Sequence, residues 1–118
     1  MTAIYIRPLE EKDSQVSYVW RNDPKVWEFT GSRPDRVITA EIEKQWINKV
    51  LQDRTSRRFA ICVKTTHQYI GNVQLTSIDE TEKKAEFHIF IGERDFWGKG
   101  VATQATKELL RYAKNELN

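Results

Sequence analysis

Cysteine is almost absent from this sequence of 118 residues, which contains only Cys62. A single cysteine cannot form an intramolecular disulfide, and it cannot build a zinc site from cysteine ligands. Because Cys62 lies within an apolar run, we expect it to be a small buried core residue. No metal site is predicted.

Long apolar runs are also missing, and neither sign of charge dominates. No stretch approaches the roughly 20 residues needed to cross a bilayer, and the N-terminal residues lack the apolar segment of a signal peptide. The 19 basic and 17 acidic residues give a net charge of +2, which offers no electrostatic reason to expect a nucleic acid or a membrane as partner. The basic cluster of Arg54, Arg57 and Arg58 is interpreted as a solvated loop. We therefore predict one cytoplasmic globular domain.

One short strand and two helices are predicted in the first third of the chain. The strand covers residues 4–7, and Asp13 is a typical N-cap for the first helix. The apolar side of that helix contains Val16, Val19 and Trp20. A second, short helix begins near Pro24, and residues 31–34 are predicted to form a loop.

A longer helix is predicted after Thr39, which is a plausible N-cap. Its apolar residues recur at spacings of three and four and are Ile42, Trp46, Ile47, Val50 and Leu51. Such a spacing places them on one face of a helix. Trp46, like Trp20, is therefore expected in the core.

Three strands and a final helix are predicted in the second half. The strands cover residues 59–63, 69–78 and 85–91, and their short connections indicate an antiparallel meander. Gly71 marks a possible bulge. The inner face of the final helix is predicted to contain Ala102, Ala105, Leu109, Tyr112, Ala113 and Leu117. The predicted fold class is thus a mixed α/β layered domain with a largely antiparallel sheet, in the order strand, helices, three-stranded meander, helix.

The turn between the last strand and the last helix contains Gly98 and Gly100. Paired glycines alone usually mark a turn. The turn lacks the Lys-Ser/Thr pair of a P-loop, and Thr103 occupies the third glycine position of a dinucleotide fingerprint. Since a strand leads into the turn and a helix leaves it, the N–H groups of residues 98–103 can converge on a phosphate or pyrophosphate.

Residues 86–103 resemble the acetyl-CoA-binding motif of the GNAT superfamily of N-acetyltransferases, whose signature is Gln/Arg-x-x-Gly-x-Gly/Ala. The signature maps onto residues 97–102, with Trp97 at its first position. That departure is familiar in the branch that resembles ribosomal-protein and spermidine N-acetyltransferases. Residues 20–26, the helix after Thr39 and residues 58–71 also resemble this branch, so the resemblance covers nearly the whole chain.

The resemblance implies acetyl-CoA as co-substrate. The pantetheine arm would hydrogen-bond along the strand at Ile89, Phe90 and Ile91. The residues implied around the pyrophosphate are Trp97, Gly98, Lys99, Gly100, Val101, Ala102 and Thr103. The two glycines agree with this role, because they lack Cβ atoms that would block the approach of phosphate oxygens.

The implied reaction is acetyl transfer to a primary amine, and three acceptors stay open: an amino sugar linked to a nucleotide, a polyamine or a protein N-terminus. An alkyl amine with a pKa near ~10.4 is protonated at neutral pH, so a base must take a proton. Glu86 stands where some members of the superfamily have a general base, and His88 follows on the same face. Without the resemblance, Glu86 would be interpreted as a surface residue of its strand. Trp27 either packs in the core or lines the acceptor pocket.

The superfamily fold continues with further strands after the helix with which this chain ends at Asn118. Residues 1–118 are therefore expected to form a single domain that is incomplete at its C-terminus and lacks the C-terminal strands. The last predicted strand would then have a free edge, which predicts a homodimer formed through that edge. The alternative function is a catalytically incomplete module that binds CoA or mediates assembly.

Overall fold

A four-stranded antiparallel sheet organises the fold. The computed structural model describes residues 2–30 and 34–117, with the side chains of Phe29, Thr30 and Leu117 outside the description. Its main elements are β1 (Ile4–Pro8), α1 (Ser14–Asn22), α2 (Pro24–Thr30), α3 (Ala40–Leu51), β2 (Arg57–Val63), β3 (Tyr69–Asp79), β4 (Lys84–Ile91) and α4 (Val101–Tyr112). Most of the predicted loop 31–34 lies outside the described residues.

The strands lie in the order β1-β2-β3-β4, and each neighbouring pair is antiparallel. The predicted meander is therefore confirmed, and β1 is added beside β2. The pairing of β2 with β3 shifts where Ile61 lies opposite Gly71 and Cys62 opposite Tyr69. The predicted irregularity at Gly71 is thus present, and Gly71 lies opposite Ile91 at the end of β4.

Helix α4 covers one face of the sheet. Its buried residues Val101, Ala105 and Leu109 pack with Ile61 and Val73 of the central strands. Ala102, which was predicted on this inner face, is exposed. The helix begins at Val101, and its buried positions Val101, Ala105 and Leu109 follow a spacing of four. Ala102 consequently faces the side of the helix next to β4.

The helices α1, α2 and α3 cover the other face. Trp20, Val26 and Ile47 pack there against Ala60 and Cys62. The predictions that Trp20 and Cys62 are core residues are confirmed, since both are buried.

The inner face of α1 differs from the predicted one. Val16 and Val19 are 38% and 53% exposed, whereas Ser14 and Ser17 are buried beside Trp20. Small serines allow α1 to lie close to its neighbours, and the Ser17 hydroxyl has a buried partner on α3. Apolar periodicity could not reveal this, because the buried face is defined by small and polar residues.

The prediction that Trp46 belongs to the core is also wrong. Trp46 is 38% exposed, and Glu43 is buried instead on α3 at 3% exposure. A buried carboxylate is tolerated only where its charge is paired and hydrogen-bonded, as Glu43 is. Arg58, predicted in a solvated loop, is part of β2 and is half-buried.

Gly92 generates a prediction about stability. A Cβ atom at this position would lie 2.0 Å from Cδ2 of Trp20, whose rigid indole is almost fully buried. Gly92→Ala should therefore lower the free energy of unfolding by about 1–3 kcal/mol through overpacking. Urea unfolding followed by circular dichroism measures the change. Lys107→Ala, on an exposed position of α4, is the control, and equal midpoints for the two variants would contradict the expected clash.

Candidate active site

A cleft of about 510 Å³ lies between the end of β4 and the start of α4. It is lined by Val26, Ile89, Phe90, Ile91, Phe96, Trp97, Gly98, Gly100, Val101, Ala102 and Thr103. The fold thus brings together every predicted cofactor-binding residue except Lys99. Lys99 lies in an adjoining pocket with Thr2 and both glycines. We call the larger space the β4–α4 cleft.

The glycine turn at this cleft has the backbone shape that an anion site requires. Gly98 and Gly100 have φ angles of 75° and 76°, in the left-handed region that side chains disfavour. A Cβ atom on Gly98 would meet no heavy atom within 4 Å, so the space above it is open. Gly100 is the N-cap of α4 and provides no side-chain cap. The first N–H groups of α4 therefore lack a side-chain acceptor from the N-cap.

Strand β4 is the last strand of the described sheet, and its register decides which backbone groups face outward. Gly92 donates its N–H to Ile70 at 2.8 Å, and Phe90 is opposite Asn72. The bond from Gly92 makes Gly92 and Ile70 a hydrogen-bonded pair of the antiparallel ladder. Because hydrogen-bonded and non-hydrogen-bonded pairs alternate, Phe90, two residues before Gly92, also directs its backbone groups toward β3. Ile89 and Ile91 direct theirs toward the outer edge.

Trp97 connects the turn to this edge. Its indole Nε1 donates a hydrogen bond of 2.8 Å to the carbonyl of Ile91. The bond occupies one outward carbonyl and fixes the turn beside the strand. Trp97 thus has a structural role at the position where the motif usually carries Gln or Arg.

A second cleft, of about 650 Å³, lies between the helical layer and the strands β3 and β4. Its lining consists of Ser17, Trp20, Arg21, Val26, Trp27, Glu43, Trp46, Asn72, Gln74, Phe87, His88, Ile89 and Phe90. Val26, Ile89 and Phe90 also line the β4–α4 cleft, so the two spaces adjoin on β4. Trp27 is half-buried in this lining. We call this space the helix-side cleft.

A buried carboxylate forms the polar part of the helix-side cleft. The two oxygens of Glu43 accept hydrogen bonds from the Ser17 hydroxyl at 2.8 Å and from Nη1 of Arg21 at 2.9 Å. The Arg21 guanidinium carbon lies 5.4 Å from the ring centroid of Trp46, and that of Arg58 lies 5.5 Å from the same ring. The indole of Trp46 therefore lies close to two guanidinium groups, of which that of Arg21 is paired with Glu43.

The aromatic residues beside this cleft are buried, since Trp20 and Tyr69 are 2% and 6% exposed. Burial raises the pKa of the Tyr69 hydroxyl well above its ordinary value, so this hydroxyl stays protonated and donates to Asn72. Trp20 packs beside Tyr69, with 4.8 Å between the ring centroids. Electrostatic interactions at the cleft are therefore stronger than they would be in water.

Glu86 and His88 lie on one face of β4, as predicted. Oε2 of Glu86 is 3.7 Å from Nε2 of His88, and their side chains are 68% and 53% exposed. His88 lines the helix-side cleft, whereas Glu86 stands beside it without contributing to the lining. The role of Glu86 as a base stays a prediction.

Sequence reasoning missed the set formed by Ser17, Arg21 and Glu43. The helix after Thr39 was predicted from its apolar residues, and Glu43 was not among the candidate site residues. One signal was available: Glu43 precedes the core residue Ile47 by four positions, which places it on the buried face. The partner residues on α1 could not be inferred, because the pairing joins two helices 22 positions apart.

Within residues 2–30 and 34–117, no helix is long and apolar enough to cross a membrane. The same residues contain no group of three or more histidine, cysteine, aspartate or glutamate side chains that could hold a metal ion.

The sheet, the free strand edge and the glycine turn at a helix N-terminus define an acyltransferase domain of the CoA-binding type. The chain belongs to the GNAT acetyltransferase family, because the family model described as "Acetyltransferase (GNAT) domain" matches residues 3–118.

Similar proteins agree with this family. The chain is 32% identical to the uncharacterized N-acetyltransferase p20 of Bacillus licheniformis, over 96% of the chain and 64% of that protein. It is 29% identical to spermidine N(1)-acetyltransferase of Escherichia coli K12, over 98% of the chain and 60% of that protein. The chain thus spans less than two thirds of the length of these relatives.

A solved structure shows the same fold. The spermidine N-acetyltransferase of Vibrio cholerae, in complex with CoA and spermine, superposes with a TM-score of 0.81 at 25% identity. The match covers 98% of this chain and 66% of that one. The predicted fold class is confirmed.

Proposed function

We propose that this chain acts as an acetyl-CoA-dependent N-acetyltransferase domain that acetylates a primary amine. The observation that carries the proposal is the meeting of the two clefts on β4, where both are lined by Val26, Ile89 and Phe90. A thioester lying along β4 would face an amine in the helix-side cleft. Direct group transfer requires that the two reacting groups be held close together in a suitable orientation.

The β4–α4 cleft fits the phosphate and pantetheine parts of CoA. The open turn at Gly98 and Gly100 leaves room for phosphate oxygens, and the first N–H groups of α4 can donate to them. Lys99 in the adjoining pocket adds a positive charge. The outward N–H groups of Ile89 and Ile91 and the carbonyl of Ile89 can bind the pantetheine amides, whereas the carbonyl of Ile91 already accepts from Trp97. Phe90 contributes its side chain to the wall of the cleft.

Acetyl-CoA supplies an activated acetyl group. The acceptor ammonium group first loses one proton and becomes a nucleophilic amine. A C–N bond to the acetyl carbon then forms and the C–S bond breaks, and the second proton lost by the nitrogen balances the CoA thiolate, which leaves as the thiol. Glu86 is proposed to take the first of these protons, directly or through a water molecule. His88 lies beside Glu86, with 3.7 Å between the Nε2 of His88 and the nearer carboxylate oxygen. The cytoplasmic location stays a prediction from the sequence.

The test of cofactor binding is a calorimetric titration with acetyl-CoA. Gly100→Asp places a carboxylate where phosphates should bind, and its repulsion should weaken binding at least about 10-fold. Leu110→Asp, on the exposed side of α4, is the matched variant that adds a carboxylate away from the turn. If acetyl-CoA binds the wild type and Gly100→Asp with the same affinity, or binds neither, the proposed cofactor site is wrong.

The test of the base is thioester turnover with a panel of primary amines. Glu86→Gln should lower kcat by about 100-fold or more while acetyl-CoA affinity is retained, since general-base catalysis contributes about that factor. Glu82→Gln, in the turn before β4, is the control. Binding without turnover in the wild type would instead support the alternative of a CoA-binding module, and full activity of Glu86→Gln would remove this residue from the mechanism.

We also propose a homodimer formed through the first part of the β4 edge. Phe87 is 40% exposed there, and its backbone groups face outward by the same alternation as those of Ile89. Pairing near Ala85 and Phe87 would leave Ile89 and Ile91 available for the pantetheine arm.

Sedimentation equilibrium measures this state directly. The wild type is expected to have the mass of a dimer, and Phe87→Lys, which places a charge on the edge, should be monomeric. Leu110→Lys, on the exposed side of α4, is the control for added charge. A monomeric wild type would overturn the proposal.

A further inference from the structure

Arg21 is held in a defined position inside the helix-side cleft. Nη1 donates to the buried Glu43, and the guanidinium lies over Trp46. The side chain of Arg21 is nevertheless 37% exposed. Its Nε and Nη2 have no protein partner in the part of the chain that the structure describes. A fixed, reachable guanidinium edge therefore faces the space in which the acceptor would lie.

The charges around this edge favour an anion. Among the described lining residues of the cleft, Glu43 is the only carboxylate, and it is engaged by Ser17 and Arg21. Arg58 adds a second guanidinium at the same Trp46 ring, and its buried Nε lacks a hydrogen-bond partner within the described residues. Arg58 lies outside the lining of the cleft, but together with Arg21 and Glu43 it leaves the surroundings of Trp46 with an excess of one positive charge, which disfavours a second amine of the acceptor.

We propose that Arg21 determines acceptor specificity by binding an anionic group, a phosphate or a carboxylate, on the same molecule as the acceptor amine. This inference rests on the proposed function, because it assigns the helix-side cleft to the acceptor. A planar guanidinium presents parallel N–H groups that match two oxygens of a phosphate or carboxylate. Trp46 and Glu43 fix the orientation of that plane before the acceptor arrives.

The acceptor class differs from the polyamines named for the relatives in Escherichia coli and Vibrio cholerae. A polyamine carries only positive charges and would need unpaired carboxylates along its path. The helix-side cleft instead pairs its carboxylate internally. The amine of an anionic acceptor would extend from Arg21 toward His88 and Glu86 on β4.

The test uses matched probes that differ in one anionic group. Glucosamine and glucosamine 6-phosphate are titrated into the full chain with acetyl-CoA present, at fixed ionic strength. The phosphate form should bind about 10-fold more tightly, the factor expected for charge-assisted hydrogen bonds to a guanidinium. 1,6-Diaminohexane and 6-aminohexanoate form a second pair that tests a carboxylate, and spermidine tests the polyamine class.

Variants separate specific binding from general charge effects. Arg21→Gln should abolish the preference for the phosphate form, whereas Arg111→Gln, which removes an equal charge on α4, should retain it. Because Arg21→Gln leaves Glu43 buried without its cation, the double variant Arg21→Gln/Glu43→Gln is included. It should also lack the preference while binding acetyl-CoA normally, which shows that the fold is intact.

The outcomes are distinct. The proposal is overturned if both members of each pair bind with equal affinity, if neither binds detectably, or if spermidine binds more tightly. In each of these cases, acetyl-CoA binding would still support the proposed function. A preference that survives in the double variant would also overturn the role of Arg21. Loss of acetyl-CoA binding by the wild type would count against the proposed function itself.

Discussion

The packing of Trp20 against the end of β4 is the contact on which both clefts depend. The indole lies against Gly92, where no side chain would fit, and its ring is 5.8 Å from that of Phe90. Its Nε1 donates to Glu93 just beyond the strand. This contact joins the helical layer to the strand that separates the two clefts. A displacement of Trp20 would therefore move the walls of both spaces together.

The two faces of the sheet serve different chemistry. On the α4 face, apolar packing of Val101, Ala105 and Leu109 brings a helix N-terminus to the edge strand, and the backbone supplies the polar groups. On the opposite face, the side chains of Arg21 and Glu43 supply them. Backbone N–H groups at a helix N-terminus suit an anion of general kind, whereas a positioned guanidinium can discriminate between acceptors. The proposed cofactor site thus uses backbone groups beside α4, and the proposed acceptor site uses side chains of the helical layer.

Much of the fold followed from local patterns. The antiparallel meander, the N-cap Thr39 and the turn at Gly98 and Gly100 were predicted, because strand alternation, capping and left-handed glycines act over short distances. The inner face of α1 and the exposure of Trp46 were predicted wrongly. Those positions depend on pairing between α1 and α3, and a buried carboxylate with a cationic partner overrides the apolar pattern.

The sequence alone determined the order of elements, the family resemblance and most residues around the β4–α4 cleft, since every lining residue except Val26 lies within residues 89–103. Only the tertiary structure decided that Ser17, Arg21 and Glu43 meet and that the two clefts adjoin at Ile89 and Phe90. The register of β4 on β3 decided which backbone groups face outward. The physical reason is separation along the chain: a contact between distant helices depends on how both pack on the sheet, and no local pattern encodes that geometry.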